Sequence, residues 1–544
     1  MKQFKYKITV YLPIMFALVL IAGIFLGTRL SPGPGSNIFS VDHSKYNKLS
    51  DIVSFIEHDY VDTVDIDKLQ DETIIEALKN LDPHSYYIPA SQFDEVSEHL
   101  NGNFEGIGVQ FRIENDTVMV ILPIAGGPSE KVGIRAGDRI VIVDGDTIAG
   151  VGIDNSKVMK VLKGPRNTKV DVGIFRRSAP EILDFTIKRD VIPTYSLDIA
   201  YMANDSVGYI KLNKFSATTY EETVDGIMKL KAQGMKKLIL DLRGNTGGYL
   251  SAAIDISDEF IEDEKLIVYT EGNNRPRSFA YATEKGNFED GELIILIDES
   301  SASASEIVAG AVQDNDRGTI MGRRSFGKGL VQEQMNLSDG SALRLTVSRY
   351  YTPTGRCIQR PYENGTDDYN KQYHDRFVNG EAMHADSIHF DDSLKFVTPG
   401  GKIVYGGGGI MPDIFVPIET GGHLAYYNRL INRGIIYDFA FEYTDTHREG
   451  LAKYKDYKDF DKRFKISNEI FNGLVVFAEN NGIEKDDDGI AARKEDIRIL
   501  LKALIGRNIL GDDGFYPIYH QKDNAFQEAL GIMNEQGDMV IGDR

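Results

Sequence analysis

The sequence predicts a multidomain α/β protein, and three observations carry the prediction. A strand–glycine loop–helix pattern occurs twice. The apolar residues 237–242 lead through Arg243-Gly-Asn-Thr-Gly-Gly248 into a helical pattern at 251–260, and residues 293–297 lead through a serine-rich loop into one carrying Ile307, Val308, Ala311 and Val312. Alternation of this kind builds a parallel sheet with helices packed on it, joined by right-handed crossovers. Residues 104–191 alternate short strands with turn signals and read as a separate β-rich module, while both flanks, 46–103 and 421–544, carry helical periodicity. A chain of 544 residues has room for about three such domains.

The first residues read as a targeting segment. Lys2, Lys5 and Lys7 (flank 1–7) precede an apolar run at 8–27, about the ~20 residues a bilayer span needs. The basic flank would stay cytoplasmic, which places the body of the protein on the extracytoplasmic, periplasmic side. A cleaved signal peptide is the competing reading, but no A-x-A site follows, and the absence of a following cysteine excludes a lipoprotein anchor. Residues 28–45, with Ser31-Pro-Gly-Pro-Gly-Ser36, form a linker. A net charge of −21 excludes sequence-independent binding to nucleic acid. The single cysteine, Cys357, excludes an internal disulfide and reads as a filler residue in a strand.

In the helical region 46–103, Leu49, Ile52, Val53 and Ile56 recur at i, i+3, i+4, i+7, and a second helix runs through Ile74, Ile75 and Leu78. Leu81-Asp82-Pro83-His84-Ser85 ends it, because proline forces a turn. His84 invites assignment as a base, but a histidine in a turn is more often structural. In the β-rich module, Gly106-Ile-Gly-Val-Gln-Phe111 leads into alternating strands, and Pro128 opens a short helix. Gly133-Ile-Arg-Ala-Gly-Asp138-Arg-Ile, a strand at 141–143 and the turn Asp144-Gly145 follow. These runs resemble a PDZ domain. The resemblance implies that a peptide tail adds as a strand and that Gly106, Ile107, Gly108 and Val109 hold its terminal carboxylate through backbone N–H groups.

The chemistry centres on DESSASASEIVAGAVQD, which begins at Asp298, and SFGKGLVQ, which begins at Ser325. A hydroxyl at the head of a helix sits among free N–H groups. Four serines in six positions (Ser300, Ser301, Ser303, Ser305) exceed what an N-cap requires. Residues 322–328 spell the first seven positions of a phosphate-binding loop. The eighth is Gly329 rather than Ser or Thr, and two strands around the turn Ser338-Asp339-Gly340-Ser341 follow where that loop needs a helix. A glycine loop ending a strand, as at 243–248, presents bare N–H groups suited to an oxyanion hole, and it lacks the G-x-G-x-x-G of a dinucleotide site.

Both segments resemble the carboxy-terminal processing peptidases, or tail-specific proteases, over residues from about 46 to 417. The resemblance implies Ser303 as nucleophile, Lys328 as general base and Gln332 as the residue orienting the lysine. It implies an oxyanion hole from Gly247 or its neighbour Gly248 beside the Ala304 N–H, on a peptidase core at 192–420 related to the crotonase and ClpP superfamily. It implies no cofactor and no metal. The implied partners are protein or peptide substrates with free C-terminal tails, together with the membrane through the anchor; a homo-oligomer or an adaptor protein stays open. A lysine base must shed a proton held with an ordinary pKa of about 10.4, so roughly 4 kcal/mol of environmental stabilisation is needed to reach neutrality near pH 7. Phe326, Leu330 and the flanking glycines suit a dry pocket, and in a strand Lys328 and Gln332 share a face.

Two alternatives use the same residues: a catalytically silent PDZ scaffold, against which the intact Ser303/Lys328 pair argues, and a crotonase-like acyl-transfer enzyme, which a tethered PDZ domain fits poorly. Asp314, three turns after Ser303 and roughly 16 Å along the helix, is too far for a triad and is expected to pair with Arg317 or another cation. The insertion 361–401 carries His374, Asp375, His384, Asp386, His389, Asp391 and Asp392 without the spacing of a zinc or calcium loop, and reads as a solvated flap. The family motif Gly409-Ile-Met-Pro-Asp413 resumes the core, with Asp413 structural. Residues 421–544 could cap the core, oligomerise or bind a partner.

Overall fold

The computed structural model describes residues 43–539 apart from 285, 389, 390 and 422. The expected anchor at 8–27 therefore lies outside the described residues, as does His389; no helix among the described residues is long and apolar enough to cross a membrane. The chain divides into two units, Met1–Ile74 and Ile75–Arg544. In the first, the helix His43–Asp59 leaves Leu49, Ile52 and Phe55 exposed.

The second unit begins inside the helix Ile66–Lys79, which ends at the proline turn, where Asp82 Oδ1 accepts from the His84 and Ser85 N–H groups at 2.8 Å each. Such a turn is built by a short acidic side chain bonding its own backbone. A short strand, Tyr86–Ile88, and the helix Ala90–Asn101 follow. The β-rich module then forms a six-stranded antiparallel sheet from strands between Val109 and Lys188, with the helices Pro128–Val132 and Asn155–Leu162. Its core gathers Ile107, Val118, Ile140, Val158, Leu162 and Ile174.

Among the described residues, the α/β core is a six-stranded sheet in the order Leu197–Met202, Val207–Leu212, Lys237–Asp241, Glu292–Ile297, Thr319–Gly322, Ile414–Phe415. The first pair is antiparallel and the rest are parallel. Side chains alternate between faces of a strand. Leu238, Leu240, Leu293, Ile295 and Ile297 accordingly pack on the helices Thr219–Ala232, Leu250–Asp258 and Ala304–Asp314. Ile239, Ile294 and Leu296 face the other way, onto Ala525, Phe526, Ala529 and Met533 of the helix Asn524–Met539. The role left open for the C-terminal region is thus partly capping: its last helix covers the second face of the sheet. Its other helices make their own core around Phe460, Leu474, Leu501 and Ile505. That helical cluster also meets the β-rich module, where Arg112 bonds Asp438 at 2.7 Å and Arg139 and Arg177 both bond Asp445 at 3.2 Å.

A second, antiparallel sheet pairs Leu330–Asn336 with Ala342–Tyr351, and the latter with Tyr86–Ile88 and Leu266–Gly272. This sheet brings the proline turn to the segment that carries Lys328. The insertion is only in part a solvated flap. Its helix Thr366–Val378 buries Tyr369 and Arg376, at 2% and 9% exposure, because aromatic and guanidinium groups spaced seven residues apart share one helix face.

Candidate active site

Ser303 directly precedes the helix Ala304–Asp314 with φ 55° and ψ −112°. A residue with a side chain rarely adopts positive φ, and such strain persists only where the surroundings impose it. Gly247 packs directly against this turn. A Cβ there would lie 2.8 Å from Ser303 Cβ and 2.9 Å from the Ala304 nitrogen, so only glycine lets the two loops meet. The flanking serines are spent on structure: Ser301 Oγ donates to the Leu242 carbonyl at 2.8 Å and Ser305 Oγ to the Asn245 carbonyl at 2.9 Å, both fully buried. Ser303 is half-buried and lines a cleft of about 570 Å³ together with Gly247, Gly248, Ala304, Lys328 and Gln332.

Hydrogen bonding separates the two glycines. The Gly247 N–H donates to Asn245 Oδ1 at 2.9 Å and its carbonyl accepts from Phe215 at 3.0 Å. The Gly248 and Ala304 N–H groups have no acceptor among the described residues, and both line the cleft. Gly248 therefore offers the available glycine donor, while Gly247 supplies the close approach.

Lys328 lies in an irregular segment, 323–329, rather than in a strand; the strand begins at Leu330 and its register shifts between Val331 and Gln332. The expected shared strand face is thus replaced by a bulge, but the contact forms: Lys328 Nζ donates to Gln332 Oε1 at 2.9 Å. Gln332 Nε2 in turn donates to the His84 carbonyl. Burial pushes the Lys328 ammonium below the ordinary lysine range and the Arg344 charge adds to this, while Glu306 and Asp82 oppose it. His84 meets Gln332 through its main-chain carbonyl. Its ring is held neutral, with a pKa lowered to about 4 by burial and by Lys328.

Glu306 is the residue that sequence reasoning missed. Fully buried, its carboxylate accepts from the N–H groups of Ser303 (2.8 Å), Gly327 (2.7 Å) and Lys328 (2.9 Å) and from the Ser325 hydroxyl. One side chain thereby ties the serine turn to the lysine loop. Burial raises its pKa against the pull of these donors. The signal in the sequence was Ser303-x-x-Glu306, which also reads as an ordinary helix-capping box. Asp314 pairs with Arg356 at 2.7 Å, both side chains fully buried, and accepts from Thr354; Arg317 instead donates to the Phe260 and Phe288 carbonyls. Asp413 accepts from the Ile320 N–H and from Gln313, which fastens the edge of the sheet.

In the β-rich module, the Ile107 carbonyl accepts from the Ser129 N–H at 3.0 Å and its hydroxyl at 2.6 Å. The Ile107 and Gly108 N–H groups have no acceptor among the described residues. Gly106, Ile107 and Gly108 are buried, and Val109 begins the strand that runs to Glu114.

Comparison with known proteins gives three family matches: peptidase family S41 over residues 206–367, a PDZ domain over 106–187, and a family of unknown function over 426–511. The S41 match ends inside the insertion. The chain is 35% identical over 343 residues to a probable CtpA-like serine protease of Staphylococcus aureus (strain N315), covering 63% of this chain and 67% of that protein. It is 35% identical over 347 residues to a carboxy-terminal-processing protease of Bartonella bacilliformis, covering 62% and 79%. It is 34% identical over 327 residues to the carboxy-terminal processing protease CtpA of Bacillus subtilis (strain 168), covering 60% and 69%. With these matches, the chain belongs to peptidase family S41, as a PDZ-containing serine peptidase of the carboxy-terminal processing group.

Proposed function

We propose that this chain is an endopeptidase in which Ser303 attacks the substrate carbonyl and Lys328 is the general base, acting on proteins captured by their free C-terminal tails. The observation that carries the reading is the Lys328–Gln332 hydrogen bond in the cleft that Ser303 lines, with burial favouring the neutral amine. The amine takes the Ser303 Oγ proton as the C–O bond forms, and the resulting ammonium returns a proton to the leaving amine as the C–N bond breaks. The N–H groups of Gly248 and Ala304 receive the oxyanion. Water, deprotonated by Lys328, then attacks the acyl carbonyl, and the ammonium returns that proton to Ser303 Oγ as the ester C–O bond breaks. The free N–H groups of Ile107 and Gly108 support a role in holding the tail carboxylate. The basic, then apolar segment at 1–27 supports anchoring with the peptidase outside the cytoplasm.

The test is mass spectrometry of the products from one apolar-tailed peptide supplied as its C-terminal acid and as its amide. Cleavage of the acid by the wild type, a KM for the amide raised about tenfold or more, and no product from Ser303→Ala or Lys328→Ala are expected. Equal kcat/KM for the two peptides refutes tail capture, and turnover by folded Lys328→Ala refutes the base.

A further inference from the structure

The segment that carries Lys328 is held from behind by the insertion. Residues 323–329 form neither helix nor strand, so their backbone groups must find partners elsewhere. Arg376, on the helix Thr366–Val378, donates to the carbonyls of Arg324 at 2.8 Å and Ser325 at 2.9 Å. Its own position is fixed by Glu381, which also binds Arg324 through both oxygens at 2.6 Å.

The same helix reaches the lysine by a second route. The Tyr369 hydroxyl lies 3.1 Å from His84 Nε2, with the two rings edge to face at 5.4 Å. The His84 carbonyl receives Gln332 Nε2, and Gln332 Oε1 receives Lys328 Nζ. Tyr369, His84, Gln332 and Lys328 thus form an unbroken chain from the insertion to the amine. Between the two routes sits Arg360, 4% exposed, whose N–H donates to the Gly327 carbonyl at 3.1 Å. Its guanidinium carbon lies 4.0 Å from the Tyr369 ring centroid and 4.4 Å from that of Phe326. Its Nη1 donates to the Tyr369 carbonyl at 3.4 Å, while its Nε and Nη2 are buried with no hydrogen-bond partner among the described residues and rest against these aromatic faces.

We propose that the helix Thr366–Val378 is a positioning element for the peptidase reaction: Tyr369 and Arg376 hold the lysine loop and, through His84 and Gln332, set the place and the dryness of the Lys328 amine. The proposal rests on the reading of Lys328 as the base. Misplacement by about 1 Å can cost up to about a hundredfold in rate, and a loosened loop admits water, which moves the amine back toward its ordinary basicity.

The experiment is kcat and KM against pH for the full chain, the wild type beside Tyr369→Phe, Arg376→Gln and Arg376→Lys, with melting temperatures in parallel. Tyr369→Phe keeps the ring over Arg360 and removes only the hydroxyl, so it tests the chain even if Arg376→Gln fails to fold. The expected results are a fall in kcat of about tenfold for Tyr369→Phe with KM unchanged, an acid limb of the pH profile displaced upward, and partial rescue by Arg376→Lys relative to Gln. An unchanged kcat and acid limb in folded Tyr369→Phe overturn the proposal. So does a fall in kcat that follows melting temperature while the acid limb stays in place, since that assigns the helix a purely structural role. Turnover by Lys328→Ala is a separate result that removes the base itself.

Discussion

Replacing Glu306 with glutamine probes the junction between the serine turn and the lysine loop. The carboxylate serves four donors, two on each oxygen: Ser303 and Lys328 N–H on Oε2, Gly327 N–H and the Ser325 hydroxyl on Oε1. Glutamine keeps one oxygen. With it toward Ser303 and Lys328, the amide NH₂ faces Gly327 and Ser325; the Ser325 hydroxyl can turn to accept, but the Gly327 N–H loses its acceptor. One orphaned buried N–H costs about 1–3 kcal/mol, and two bonds that lose charge assistance weaken by about 1 kcal/mol each. Relief from burying a charge offsets part of the total, which leaves a net loss of about 2–4 kcal/mol. Removing the negative charge also removes one of the influences that raise the Lys328 pKa, so the acid limb of kcat should move to lower pH. Urea denaturation and a pH–rate profile measure the two effects. A stability loss below about 0.5 kcal/mol, or an acid limb that moves upward, would refute the reasoning.

Asp314→Asn breaks a fully buried ion pair with Arg356 and should lose about 3–5 kcal/mol of stability, while kcat per folded molecule stays within about twofold; a large fall in kcat at unchanged melting temperature contradicts this. His520 is stacked 4.1 Å from Phe526 and bonded to the Tyr201 hydroxyl, and burial holds its pKa down at about 4 against Asp523 and Asp241. Its folded value lies below the ordinary 6.5, so its contribution to stability is present above pH 6.5 and lost as pH falls toward 4, on the order of 3 kcal/mol. His520→Phe should flatten the pH dependence in that window, and urea curves at pH 4 and 7 that keep the wild-type difference would count against it. Lys328→Met should raise the melting temperature at pH 7 by roughly 2–4 °C. The buried native lysine binds fewer protons than the unfolded one between its lowered pKa and 10.5, so stability rises with pH through that window. The advantage of methionine should therefore shrink as pH approaches 10.5, and a constant advantage across that range would show that the lysine is not shifted.

The α/β core was legible because its strands are short apolar runs followed by glycine loops and helical periodicity, and the placing of Ser303 at the cleft was legible because its loop lies at the second of these junctions. What escaped detection was contact across long separations. Nothing near Asp314 in sequence names Arg356 as its partner, and the Ser303-x-x-Glu306 spacing looks like a common cap unless the lysine loop is known to lie beneath it. The insertion 361–401 is polar in composition, so the burial of Tyr369 and Arg376 shows only when the helix Thr366–Val378 is seated behind residues 323–329. Lys328 and Gln332 were paired for a partly mistaken reason, since a bulge rather than a regular strand brings them together. In the last helix, Ala525, Phe526, Ala529 and Met533 mark an apolar stripe, but a stripe does not name its target; here the target is the open face of the core sheet.

The proposed Ser303–Lys328 dyad is tested most directly by locating the adduct of a fluorophosphonate, which reacts preferentially with an activated serine, by mass spectrometry of the full chain and of Lys328→Ala. A single adduct on Ser303 is expected in the wild type and none in the folded Lys328→Ala protein. An adduct on Ser301 or Ser305, or undiminished labelling of Ser303 without Lys328, would contradict it.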